Sequence, residues 1–441
     1  MAGVHAMTSI SQFINPDTEK LDATLIADYV AHEPTILGRG VDGDLYEYRE
    51  GIFVRSEKVI TQRVAKALGG RYSTSVRSQV EDHMLNVELP DVGLPDLPAG
   101  YLEYIVVENG IYWWRDDQLE DHSAGLGALS KLPIEFDRGA IPHTFIEWMK
   151  QVLGDDEDMH RHLWEVIGYM LMTGNPLQKI FLLYGPGGNG KGTLLRLLRH
   201  LLGRNNYSSI SMHQLVDDRF ATSGLYGKIA NISGDLSARF LSDPQVLKEI
   251  TGGDSINASR KFGQSFEFVP YAVPIFASNE YFRTSDSSSG WRRRWEVLEF
   301  TRNVISGTAF DEQALLDDAP GIFNYAMNGL RDLMQRGRFD PPASAQEATQ
   351  RLHDEADPVM MWLDDDELVV TGPDELAPRA DIYKRYVKWC RSSGYTPLAV
   401  GPFGKRLAQA GYGSTRPRSA GARSWHYTGL SLASYGWDDE E

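Results

Sequence analysis

The stretch Lys179–Gly203, KIFLLYGPGGNGKGTLLRLLRHLLG, constrains the fold more than any other part of the chain. The apolar run Ile180–Tyr184 predicts a buried strand. Gly185, Pro186, Gly187, Gly188, Asn189 and Gly190 predict a tight loop, and Leu194, Leu197, Leu198, Leu201 and Leu202 recur behind it at helical spacing. Strand, glycine loop and helix in this order turn successive backbone N–H groups, and the positive end of the helix, towards one anion. Lys191 adds a cation that can reach terminal phosphates. One position departs from the usual pattern: GxxxxGK is followed by Ser or Thr for Mg²⁺, whereas Gly192 stands here and Thr193 comes one residue later. GKGT also fits the loop of small nucleotide kinases, so the loop alone leaves a kinase and a motor both open.

The chain has 441 residues, enough for two to four domains. Its single cysteine, Cys390, excludes an internal disulfide framework and a multi-cysteine zinc site. The N-terminal segment has no basic stretch followed by an apolar core, and no apolar run is long enough to cross a bilayer, so a cytoplasmic protein without membrane contact is expected. The net charge of −17 argues against a nucleic-acid partner at first sight. The charge is uneven, however: ten Lys/Arg face one acid between Leu376 and Tyr435, a net of +9. Local field rather than global charge steers a polyanion. Such a patch would also suit an acidic protein or the acid clusters of another subunit.

Residues 1 to about 140 read as mixed α/β, with strand-like alternation in Leu45–Val54 and Tyr101–Trp114 and a helix at Val59–Leu68. Helical patterns cover His143–Leu153 and Asp158–Met172, and strands and helices then alternate to about Phe300, which predicts a parallel sheet. Helices return at Asp311–Gln335, and Pro341-Pro342 with the acid run near Asp364 marks a junction into the basic segment.

Four further motifs follow the loop. The short apolar run before Asp235 ends in a carboxylate suited to hold Mg²⁺ beside phosphates. A second run ends in Asn279, whose amide could orient an attacking water, while Pro274 inside it argues for a bulge or an edge position. Residues 251–268 read as a β-hairpin with Arg260 and Lys261 near its turn. Gly290-Trp-Arg-Arg-Arg-Trp295 offers arginines, one of which could reach a phosphate on a neighbouring subunit. Each motif alone also has a plainer reading as a turn or a solvated surface.

As an ordered set, GPGGNGKGTLL, ANISGDLS, LKEITGGDSI, FASNEYFR and WRRRWEVLEF resemble the superfamily-three helicases, specifically the phage, plasmid and poxvirus primase-helicase group. The resemblance implies an AAA+ P-loop motor over residues 177–345, preceded by an α/β domain (1–140) and a helical collar (141–176), and followed by a winged helix (355–435). It implies that Lys191 binds phosphate, that Asp235 with Thr193 holds Mg²⁺, that Asn279 is the sensor, and that Arg294, with Arg293 as second choice, is the arginine finger. Arg260 and Lys261 match the DNA-tracking hairpin; Lys405 and Arg406 on a helix and Arg416, Arg418 and Arg423 on the wing are the candidate duplex contacts. Relatives often carry a second acid where Gly234 stands. Many also carry a primase domain, for which the first 140 residues leave little room.

The expectation is therefore an ATP- and Mg²⁺-dependent DNA helicase acting as a homo-oligomeric ring, a hexamer, in replication of a phage or mobile element inside a bacterial host. A separate primase or polymerase is a candidate partner. The alternatives are a DNA-binding initiator that uses ATP only to assemble, and a nucleotide kinase.

Overall fold

The computed structural model describes residues 10–32, 35–56, 58–93, 101–234, 240–241, 244–260, 265–284, 286, 288–302, 311–365, 369–393, 395, 397–416 and 424–433. Helices Ala23–His32, Val59–Leu68 and Thr74–Met84 share an apolar core with Phe13 and Leu37. Beside them lies a four-stranded sheet in the order Ile52–Arg55, Leu45–Arg49, Leu37–Gly40, Asp91–Val92. The strand-like run Leu45–Val54 forms a hairpin of two strands. Glu50 and Gly51 take φ values of 47° and 95°, and two left-handed residues in a row make the two-residue turn that suits strand twist. Tyr101–Trp114 likewise folds back, with Val107 paired to Gly110.

The central sheet is all parallel, in the order Trp295–Glu299, Ile180–Tyr184, Val273–Ser278, Ala230–Ser233, Tyr207–Ser208. Helices cover both of its faces, which is why its inner strands are continuous apolar runs rather than alternating ones. One face packs on the loop helix Lys191–Leu202 and on Glu157–Leu171 and Ala319–Arg336. Those last two helices approach closely because Gly168 and Gly329 lie at their contact; a Cβ at Gly168 would sit 2.2 Å from the Ala326 carbonyl. Tyr112 and Trp114 join this same core, so the meander around them packs with the central sheet. The other face packs on Trp291, Trp295, Phe282 and the helix Ala343–Glu355.

Pro274 does not mark a bulge or an edge. Its strand is the middle one of the five, and pairing to the loop strand starts one residue later, at Ile275 with Phe181. Val273 N–H already points to the other neighbour, donating to Ile229 O, so by alternation the missing N–H of Pro274 falls where no ladder bond would form. The predicted hairpin is present as Ile256–Ser259 paired with Ser265–Phe268.

The C-terminal unit combines helices Pro358–Leu363, Arg379–Ser392 and Val400–Gln409 with an antiparallel sheet in the order Val369–Pro378, His426–Leu432, Gly413–Thr415. Trp362, Tyr386, Phe403, Leu407 and Tyr427 form its core together with Cys390, whose thiol burial pushes up to about 11. Among the described residues no helix is long and apolar enough to cross a membrane.

Candidate nucleotide site and nucleic-acid surfaces

The glycine loop leaves the C-terminal end of the sheet, where three strand ends stand level: Tyr184 pairs with Ser278 on one side and with Glu299 on the other. Gly185, Gly188 and Gly190 take φ values of 144°, 76° and 100°, which side-chain-bearing residues rarely adopt. A Cβ on Gly185 would meet the Phe300 carbonyl at 2.2 Å, whereas one on Gly187 would meet nothing within 4 Å. The loop is thus closed towards the sheet and open at its crest. Asn189, expected as one of the nucleotide-binding residues of the loop Gly185–Thr193, is 2 % exposed and clamps the loop by donating through Nδ2 to Phe300 O.

Lys191 opens the loop helix and folds back over the loop. Its Nζ donates to Gly185 O at 2.6 Å, Pro186 O at 2.7 Å and Asn189 Oδ1 at 3.1 Å. Among the described residues these acceptors are all neutral. Burial pushes the lysine pKa below its usual value. A desolvated cation with uncharged partners beside open glycine N–H groups is a receptor for an anion.

Asn279 follows Ser278 directly and is exposed at the same sheet end, one residue beyond the Tyr184 level. Its strand hydrogen-bonds to the loop strand itself, which brings the amide to the glycine-loop end of the sheet. The strand leading to Asp235 ends at Ser233, level with Phe276, and Asp235 itself lies outside the described residues. Gly192 is exposed, and Thr193 Oγ1 accepts from Arg196 Nη2 at 3.3 Å while the same nitrogen bonds Glu312 Oε2 at 3.0 Å. A metal ion on Thr193 would have to displace that guanidinium. Sequence reading missed the Arg196–Glu312 pair, because its partners lie on separate helices.

The arginine run stands at the opposite end of the sheet. Trp295 is level with Ile180, four residue steps or about 13 Å along the strand from Tyr184. Arg294 corrects the first choice for a finger: it is 7 % exposed, and its Nε donates to Thr251 Oγ1 at 2.9 Å. It also donates to Gly290 O, and to Lys248 O at 3.4 Å. Arg293 is exposed, with one bond to Gln178 Oε1. The two adjacent arginines therefore differ in kind: one is an internal strut, the other is available.

The nucleic-acid candidates divide the same way. Lys405 is exposed, but Arg406 is 9 % exposed and pairs through Nε with the buried carboxylate of Asp357. Arg406 is thus corrected from a duplex contact to a core ion pair. Arg416 is exposed, 5.6 Å from the ring centre of Trp425, which is itself 48 % exposed. Arg260 is not free for phosphate either, since Asp42 and Asp44 hold it. Lys261, Arg418 and Arg423 lie outside the described residues.

Residues 183–294 match a family of unknown function (DUF5906), and residues 354–418 match the poxvirus D5 protein-like family. A protein of Acanthamoeba polyphaga mimivirus, named as a putative helicase, is 26% identical over 180 residues. That alignment covers 39% of this chain and 18% of the viral protein, so the chain spans about a fifth of that relative. Among solved structures, apo forms of the C-terminal region of NrS-1 are similar at 12% identity with a TM-score of 0.49, covering 93% of this chain and 100% of that one. Another form is similar at 15% identity with a TM-score of 0.47 over 74% of each chain. The D5-like segment and the viral relative support the likeness of this chain to the D5-type primase-helicase group of superfamily-three helicases.

Proposed function

We propose that this chain is an ATP-driven DNA motor: an AAA+ P-loop ATPase that assembles into a ring, a hexamer, and translocates on single-stranded DNA during replication of a phage or mobile element. The observation that carries the reading is the buried Lys191, held by neutral oxygens at the point where the loop strand, the Asn279 strand and the strand ending at Glu299 finish level. That end of the sheet fits a polyphosphate, because it offers a desolvated cation and open backbone donors. Bound Mg²⁺–ATP supplies the phosphoanhydride; Lys191 would neutralise its terminal phosphates, Asp235 with Thr193 would hold the metal, and Asn279 would orient water.

Arg293 is exposed at the far end of the strands, where it cannot serve its own loop. That placement supports a neighbouring subunit as its target and hence a closed heterologous ring. The helices of residues 141–176 fit a collar. The C-terminal helices with their antiparallel sheet fit a winged helix that presents Lys405 and Arg416 to duplex or fork DNA.

Two assays test this. Lys191→Ala should abolish DNA-stimulated ATPase, by about 10²-fold or more, and strand displacement on a forked duplex should be lost with it. Retained ATPase in that variant refutes the motor. Wild-type ATPase without strand displacement would favour an ATP-assembled initiator, and phosphate transfer to nucleoside monophosphates would favour a kinase.

A further inference from the structure

Arg260 leaves the end of the hairpin strand Ile256–Ser259, and its guanidinium is already engaged across a unit boundary. Nη2 donates to Asp42 Oδ2 at 2.7 Å and Nη1 donates to Asp44 Oδ2, both on the turn at residues 40–44 of the N-terminal sheet. The Asp42 side chain is 0% exposed and also accepts the Tyr46 hydroxyl at 2.9 Å. Asp44 takes Arg55 Nε at 2.7 Å, and the Phe266 ring centre lies 5.1 Å from the Arg260 guanidinium carbon. Burial opposes charge on both partners, yet the hydrogen bonds between them prevail. Asp44 is held below the usual carboxylate range and the Arg260 pKa is raised.

The geometry of these acceptors is the point. Two anionic oxygens, from two separate carboxylates, occupy the guanidinium fork that a phosphodiester would otherwise take with its two non-bridging oxygens. One turn, distant in the chain with its acids 216 and 218 residues from Arg260, supplies them. A purely internal anchor would be fully enclosed, but the side chains of Arg260 and Asp44 stay 28% and 32% exposed, so a polyanion can reach the pair.

We propose that Asp42 and Asp44 form a phosphate-mimicking latch, which ties the hairpin to the N-terminal unit in the DNA-free protein and yields Arg260 to the backbone of an entering strand. The latch rests on the reading of this chain as a DNA motor. It makes the N-terminal unit a gate on nucleic-acid engagement, so that DNA entry and release of that unit are one event.

The test uses the full chain and a fluorescein-labelled oligothymidylate, with anisotropy read across a salt series. Asp42→Asn/Asp44→Asn keeps the shape of the turn but removes its charge. It should bind about tenfold tighter than wild type, equivalent to ~1.4 kcal/mol. Its plot of log affinity against log salt should steepen by about 0.7, the increment for one more phosphate contact on single strands. A merely structural role would not move that slope. The gain should vanish when Arg260→Ala is added. Unchanged or weaker binding overturns the latch, as does a gain that persists without Arg260. Should the double variant fail to fold, Asp44→Asn, on the partly exposed partner, is read by the same criteria. Absence of binding by wild type and variants alike also overturns it, while the ATPase assay on Lys191 decides the motor reading separately.

Discussion

Replacing Arg293 and Arg294 one at a time by alanine should separate a catalytic loss from a structural one, although the residues are neighbours with the same chemistry. Arg294 donates to the Thr251 hydroxyl and to the Gly290 and Lys248 carbonyls from a buried position. Hydrogen bonds from a charged group contribute roughly 1.5–3 kcal/mol each, and the longest of the three contributes least. Removing the guanidinium also leaves buried oxygens unpaired. Arg294→Ala should therefore lose about 3–5 kcal/mol of stability. Arg293 is exposed with one side-chain hydrogen bond among the described residues, so Arg293→Ala should stay within about 0.5 kcal/mol of wild type.

The catalytic expectation is the reverse. As a finger acting in trans, Arg293 should be worth about 10³-fold in ATPase rate once rings are assembled. Thermal melting by differential scanning fluorimetry reads the first quantity, and ATPase on size-selected assemblies reads the second. Mixing Arg293→Ala subunits with Lys191→Ala subunits is the decisive step. In a mixed ring an intact loop meets an intact arginine at some interfaces, so activity should return, although each parent is inactive. An Arg293→Ala assembly with wild-type ATPase refutes the assignment, and so does Arg294→Ala with an unchanged melting temperature.

Four other substitutions bear on three separate parts of the molecule. Asn189→Ala removes the clamp on Phe300 O and one acceptor of Lys191; it should weaken binding of a fluorescent ATP analogue by about tenfold, with the fold retained. Arg406→Ala should destabilise the C-terminal unit by about 3–5 kcal/mol because it strands the Asp357 carboxylate, whereas Lys405→Ala should keep its melting temperature and flatten the salt dependence of duplex binding by about 0.9. His162 is 0% exposed, neither ring nitrogen has a hydrogen-bond partner among the described residues, and burial, aided by Lys179, Arg161 and Arg336, lowers its pKa to about 4. The unfolded chain takes up this proton near pH 6.5 and the folded chain does not, so stability falls as pH drops through that window, by about 2 kcal/mol between pH 7 and pH 5. His162→Leu should shrink the acid-induced drop in melting temperature by a corresponding amount, and an unchanged drop would show that the imidazole is not its source.

What could be read from the sequence was local. The glycine loop, its strand and its leucine helix are specified within one short stretch by backbone freedom and by period, and they form as expected. Turns hidden inside apolar runs were legible in principle. Gly51 in the turn Glu50-Gly51 and Asn109 in the turn Glu108-Asn109 are residues that a two-residue turn favours, yet alternation on either side gave each run a continuous strand-like pattern. Pro274 misled because its cost depends on which neighbour its missing N–H would face, and that is a property of register between distant segments. Asp42 and Asp44 gave no signal, because the charge they neutralise is more than 200 residues away.

The basic runs carry the more general point. Composition marks Arg293-Arg294 and Lys405-Arg406 as cationic, but in each pair only one member faces outward. For the second pair the phase was available: Phe403, Arg406 and Leu407 fall at i, i+3 and i+4 of one helix, so Arg406 belongs to the apolar stripe and needs a buried counter-ion, which Asp357 provides. For the first pair no period decides, because the run sits where a one-turn helix meets a strand and the acceptors come from the loop and helix around Lys248 and Thr251. An internal arginine at such a junction holds the backbone that carries its neighbour. Arg294 O accepts Ile180 N–H at 2.7 Å, which ties the arginine run to the first residue of the strand whose other end becomes the glycine loop. A displacement at Arg293, where a neighbouring subunit would press, therefore has a rigid strand of about 13 Å between it and the loop. On the ring reading, that hydrogen bond and strand give a direct path by which one subunit's loop registers its own arginine's contact with the next site.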